Sequence, residues 1–164
     1  MEFLWNELTA GLPNAGDSLR VLIRLFAAMA LGAVVGFQRE SVGKDAGLRT
    51  HILVAMGTAL FVISCTSVDM GLDGLSRVIQ GIATGIGFIG TGTILKRTDK
   101  AEIHGLTTAA GLFMTAAVGV AVGLGRIGIG IVATVLTWVV LSIVTYIEVH
   151  INPDEAGKLE NKNE

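Results

Sequence analysis

The sequence predicts an all-α membrane protein with five transmembrane helices, the N-terminus outside and the C-terminus in the cytoplasm. Three observations carry this. Residues Ile127 to Ile147 run for 21 positions without a charged side chain, and three or four other stretches come close. A spanning helix needs about 20 apolar residues, because each rises about 1.5 Å through roughly 30 Å of hydrocarbon and backbone polar groups must be satisfied within the segment. Hydrophobic residues make up 51% of the chain and charged ones 16%, with mean hydropathy +0.66, where a soluble domain is about one quarter charged. With so many spans in 164 residues, little chain remains for anything but one membrane domain with short loops.

Residues 1–18 come first. They are acidic (Glu2, Glu7, Asp17) and lack the basic start and cleavable apolar core of a signal peptide. Phe3, Leu4, Leu8 and Leu12 lie near one helical face beside Trp5, which fits a short helix in the headgroup layer as well as a plain extracytoplasmic terminus. The membrane domain, 19–147, then supplies the spans Leu19 to Phe37, His51 to Val68, Val78 to Leu95, Leu106 to Leu124 and Ile127 to Ile147. A polar tail, 148–164, closes the chain on the cytoplasmic side. Cys65 is the single cysteine, sits in an apolar run and reads as a small packing residue.

Orientation follows from the basic residues. Arg39, Lys44, Arg49, Lys96, Arg97, Lys100, Lys158 and Lys162 fall on one side of the bundle, against Arg20, Arg77 and Arg126 on the other. Basic residues favour the cytoplasm, so the richer side is inside. Arg24 lies about one turn in from the outer end. There a long side chain can snorkel to the interface, which we favour over an intramembrane charge facing a partner or water.

Helices in lipid meet through small residues at i, i+4 spacing. Ala28, Gly32 and Gly36 form such a row on the first span, Gly81 and Gly85 start one on the third, and Gly111, Thr115, Gly119 and Gly123 run through the fourth. Tight helix contacts are expected at all three. The third span also carries Gly87, Gly90 and Gly92 among Thr84, Thr91 and Thr93, a run so poor in helix formers that an unwound turn competes with a straight, closely packed helix.

Gly47-Leu48-Arg49-Thr50 and Gly105-Leu106-Thr107-Thr108 open the second and fourth spans, and the same alignment matches Met56 with Met114. This reads as a parallel repeat of two hairpins, with the fifth span added. Gly and Ala bias also produces such short matches by chance.

Polar residues able to do chemistry collect at the inner ends of the first four spans. Gln38, Arg39, Glu40, Asp45, Arg49, Thr50 and His51 stand on one hairpin, and Lys96, Arg97, His104, Thr107 and Thr108 on the other. Arg39, Glu40, Asp45, Arg49, Thr50, His51, Thr107 and Thr108 are therefore the candidate binding residues. Helix N-termini near Thr50 and Thr107 suit an anion, whereas Glu40 and Asp45 offer oxygens to a hard cation such as Mg²⁺, which needs only one or two carboxylates. The ordinary alternatives are salt bridges to the arginines and threonine N-caps.

Gly32-Ala33-Val34-Val35-Gly36-Phe37-Gln38-Arg39-Glu40, Ala46-Gly47-Leu48-Arg49-Thr50-His51, Gly85 to Leu95 and Gly105-Leu106-Thr107-Thr108-Ala109-Ala110 resemble, in order, the signature segments of the MgtC/SapB/YhiD membrane proteins. The resemblance spans Gly32 to about Gly125. It implies a multi-pass protein of the bacterial inner membrane, with about five spans, linked to magnesium homeostasis and acid stress. For MgtC itself it also implies intracellular survival and restraint of the ATP synthase. Thr91 stands where the family commonly has Ala, and Phe113 where Trp is usual. The polar tail, in place of a soluble C-terminal domain, resembles the short SapB and YhiD branch and weakens any carry-over of the ATP synthase role.

Two functions compete. One is transport or homeostasis of Mg²⁺ or another small ion past Glu40, Asp45 and the third span, although no carboxylate lies deep in any span, as divalent passage usually requires. The other is a non-transporting regulator that docks on another membrane complex through the small-residue face of the fourth span. An enzyme is not expected: His51 and His104 lie near hydroxyls, but no nucleophile, base and orienting acid come together. No resident cofactor is expected beyond Mg²⁺ itself. The expected partners are the lipid bilayer, further copies in a homo-oligomer and another membrane complex, not nucleic acid.

Overall fold

The computed structural model describes residues 15–68, 70–96 and 103–151, together with Met1. Among them are five helices: α1 (Ala15–Ser41), α2 (Leu48–Ser67), α3 (Leu72–Thr93), α4 (Leu106–Gly123) and α5 (Ile127–Ile151). Between α3 and α4 lies a two-residue antiparallel ladder, β1 (Leu95–Lys96) with β2 (Ile103–His104). The readings placed on Phe3, Leu4, Trp5, Leu8 and Leu12, on Arg97 and Lys100, and on Lys158 and Lys162 fall outside the described residues, as do the side chains of Lys96 and Glu148.

The helices run past the spans read from hydropathy because apolar content locates the lipid-facing part and turn chemistry locates the ends. α1 continues through Gln38, Arg39 and Glu40 and stops where Gly43 takes φ 66°. The Gly43 amide then donates to the Glu40 carbonyl and the Lys44 amide to the Arg39 carbonyl. α4 ends in the same Schellman pattern: Gly125, at φ 78°, donates to Val122 and Arg126 donates to Ala121. Of the five helices, α1 from Gly16, α2 and α4 are long and apolar enough to cross a membrane. α5 is 25 residues long and apolar from Ile127 to Ile143. α3 is more dilute, with Asp73, Arg77 and Gln80 in its first turns and a glycine-rich second half.

α4 is the central helix, packed against the other four, and α1 and α2 form the most extensive pair. Their junction is lined by Ala28, Ala55, Ala59, Val118 and Val122, while Phe26, Phe61, Phe88 and Trp138 face outward. Small side chains inside and large ones outside is the arrangement lipid favours, because close backbone approach supplies the packing energy. A Cβ at Gly36 would stand 2.7 Å from the Leu48 Cα, and one at Gly119 would collide with the Thr58 hydroxyl and the Ala55 carbonyl.

Two expectations are corrected here. α3 is a continuous helix, yet Gly81, Gly85, Gly87 and Gly92 have no neighbour within 4 Å of an added Cβ. It is neither unwound nor closely packed on that face, because only its other side meets α4 and α2. The small-residue face of α4 is not free for a partner: Gly111, Thr115, Gly119 and Gly123 are buried, the glycines against His51, Thr58, Ala55, Ala59 and Val62 of α2.

Candidate functional site

One end of the α1–α2–α4 junction carries a buried polar cluster. Arg39 belongs to the last turn of α1, on the same face as Gly32 and Gly36, so the glycines that draw α2 in also bring its guanidinium against α4. The side chain is 2% exposed, and its Nη2 donates to the Thr108 hydroxyl at 2.8 Å. Thr108 is the third residue of α4, whose N-cap, Gly105, adopts φ 94°. A Cβ at Gly105 would collide with the Thr93 carbonyl. The tight return of the chain from α3 thus places Thr108 against Arg39.

His51 is 0% exposed and lies one turn into α2. Its Nδ1 meets the Thr115 hydroxyl at 2.7 Å, and that hydroxyl donates its only proton to the Gly111 carbonyl at 2.9 Å. The hydroxyl oxygen must accept, so Nδ1 carries the proton, and the network assigns the tautomer. A Cβ at Gly36, one turn before Arg39, would stand 3.0 Å from the His51 Cβ, so both side chains belong to the same α1–α2 seam. Three buried atoms in this region, Gln38 Oε1, Arg39 Nε and His51 Nε2, have no hydrogen-bond partner among the described residues. Buried polar atoms are normally paired, so three at one end of a bundle mark it out.

The rim around this cluster is polar and open. Glu40 is exposed, and its Oε2 accepts the Leu48 amide at 2.7 Å, capping the start of α2 from eight residues upstream. Asp45, Arg49 and Thr107 are exposed and Thr50 is half-buried; Asp45 acts electrostatically on Arg39. The structure therefore joins Arg39 to Thr108 and sets His51 beside them, while Glu40 serves the α2 N-terminus. Among the described residues, no group of three or more His, Cys, Asp or Glu side chains stands together to hold a metal ion. Glu40 and Asp45 could contribute oxygens only to an ion that keeps most of its own waters.

Sequence reasoning missed Thr115 as the partner of His51. The signal was present, because Thr115 lies seven residues, about two turns, beyond Thr108 on one face of α4. The structure also gives Arg24, read as snorkelling to the interface, a partner at a helix end. That side chain donates to the Gly123 carbonyl at 2.9 Å, so it is tied to the C-terminus of α4 and satisfies one of its last carbonyls.

A model of the MgtC family matches residues 25–150. Protein SrpB of Synechococcus elongatus is 42% identical over 138 residues, covering 77% of this chain and 76% of SrpB. The putative magnesium transporter YhiD of Escherichia coli K12 is 47% identical over 131 residues, covering 74% of this chain and 59% of YhiD. Protein MgtC of Salmonella typhimurium is 40% identical over 115 residues, covering 70% and 48%. The chain thus spans about three quarters of SrpB, under two thirds of YhiD and about half of MgtC. No solved structure matches.

Proposed function

The chain belongs to the MgtC family, and from that premise we propose a multi-pass protein of the bacterial inner membrane that serves magnesium, or other small-ion, transport or homeostasis. The name of the YhiD relative supports the ion. The observation that carries the reading is the Arg39–Thr108 and His51–Thr115 cluster, buried between helices of membrane-spanning character. Polar groups cost free energy in such helices and usually mark a path or a binding site. On this reading all five helices cross, the cluster faces the cytosol on the side richer in basic residues, and the α1–α2 and α3–α4 hairpins are parallel repeats. Glu40 and Asp45 receive the hydrated cation at the rim.

Reconstitution tests this reading. In liposomes loaded with a magnesium-sensitive dye, the wild-type chain should carry saturable flux, and Glu40→Gln with Asp45→Asn should abolish it. Unchanged flux in the double variant would remove both residues from the path.

A second reading, a non-transporting regulator, is favoured by the outer face of α3, where Phe88 is 83% exposed beside Gly85 and Gly92 with open space above them. Another membrane complex such as the ATP synthase, or a second copy of this chain, would pack there. Cysteine crosslinking from Gly85 in native membranes separates the two occupants, and adducts of neither kind would count against this reading.

A further inference from the structure

Arg39 is set in an electrostatically unfavourable place. Its guanidinium is buried against the first turn of α4, the positive end of that helix dipole, and among the described residues it donates to a neutral hydroxyl, that of Thr108. The ion pair found among the described residues is Arg20–Asp17, not one to Arg39. Glu40 is engaged by the Leu48 amide, and Asp45 acts from the exposed surface. The α4 amides of Leu106, Thr107 and Thr108 precede the first intrahelical bond, from Ala109 to Gly105, and the N-cap Gly105 has no side chain to cap them. Arg39 Nε is buried too and has no hydrogen-bond partner among the described residues.

We infer that the Arg39 guanidinium and the uncapped N-terminus of α4 form a binding site for a phosphate oxyanion. A helix N-terminus and a planar guanidinium fork are the two protein groups that best match phosphate oxygens. A phosphate group answers both at once, because the guanidinium is cationic and the helix end is positive. At a membrane end, that group belongs to an anionic lipid headgroup or to free phosphate. The inference stands on the geometry of Arg39 and does not depend on ion transport.

The test uses the full chain in dodecyl maltoside free of phospholipid. Inorganic phosphate is titrated in one arm and dioleoylphosphatidylglycerol in the other, with unfolding temperature and ³¹P line broadening as readouts. A saturable response to the lipid alone assigns a headgroup site; one to inorganic phosphate assigns a soluble ligand. Either is expected to weaken at least tenfold in Arg39→Gln and in Thr108→Val, and to persist in Arg126→Gln, whose charge lies at the opposite end. If Arg39→Gln does not fold, Arg39→Lys replaces it, keeping the charge but losing the fork. No saturable response in either arm, or equal affinity in the Arg39 variant that folds and wild type, overturns the site. Magnesium flux is not read here, so either outcome leaves the transport reading to its own experiment.

Discussion

Arg39 and Thr108 lie 69 residues apart in the chain and meet at 2.8 Å, tying the end of the first helix to the start of the fourth. The bond needs both Gly36, which lets α2 close on α1, and Gly105, which lets the chain turn back from Thr93. A guanidinium costs little at an open rim; buried, it depends on each hydrogen bond it makes. Arg39 therefore acts as a lock between the two halves of the bundle.

Thr108→Val removes the hydroxyl but keeps the side-chain shape, and leaves the buried guanidinium one partner short. The chain should lose about 1–3 kcal/mol of stability, the cost of an unsatisfied buried polar group. Thr107→Val, at the exposed neighbouring position, should stay within about 0.5 kcal/mol. Thermal unfolding in detergent distinguishes them, and equal shifts would show that Arg39 does not rely on Thr108.

The glycines divide into two classes. At Gly119 a methyl group would run into the Thr58 hydroxyl and the Ala55 carbonyl, so Gly119→Ala should destabilise by about 1–3 kcal/mol through forced separation of α2 and α4. At Gly85 the same methyl meets nothing, and Gly85→Ala should be neutral or stabilising by up to about 1 kcal/mol from helix propensity. Gly85→Leu extends the comparison. If copies of the chain pack through α3, it should lower the mass seen by light scattering while leaving helix content by circular dichroism unchanged.

Spacing alone separated these classes only in part. The i, i+4 rows on the first and fourth spans were legible because a small-residue row in lipid needs a facing helix, and α2 supplies it. The row on the third span has the same spacing but an open face, since the number of neighbours a helix has is a property of the assembled bundle. At the candidate site, the gathering of Arg39, His51 and Thr108 was legible from topology, which puts the ends of the two hairpins together. Thr115 was legible too, as the residue two turns beyond Thr108 on the same face of α4, whereas the capping role of Glu40 was not, because it depends on which way a side chain turns after the helices dock.

Arg24→Leu should loosen the far end of the bundle. The 2.9 Å bond to the Gly123 carbonyl places a positive charge at the negative end of the α4 dipole, an arrangement worth about 0.3–1 kcal/mol where partly exposed. Hydrogen exchange at Leu124, Gly125 and Arg126 should speed up in the variant, with protection at Thr115 unchanged. Uniform acceleration along α4 would mean that Arg24 supports the whole helix and not its end alone.

Glu40 has two candidate tasks, and two substitutions separate them. Glu40→Gln keeps an oxygen that can accept the Leu48 amide, now bonded at 2.7 Å, but removes the charge a divalent cation needs. Glu40→Ala removes both. If the carboxylate only caps α2, Gln should match wild type in unfolding temperature and in magnesium flux, and Ala alone should fall, by the loss of a helix cap. If it also receives the cation, Gln should keep the unfolding temperature and lose the flux. Asp45→Asn supplies the cross-check, because the Leu48 amide is bonded by Glu40 and not by Asp45, and loss of an exposed charge should lower flux while changing stability by less than about 1 kcal/mol. Loss of stability in Glu40→Gln equal to that in Glu40→Ala would show that the negative charge itself, set against the α2 dipole, holds the loop in place.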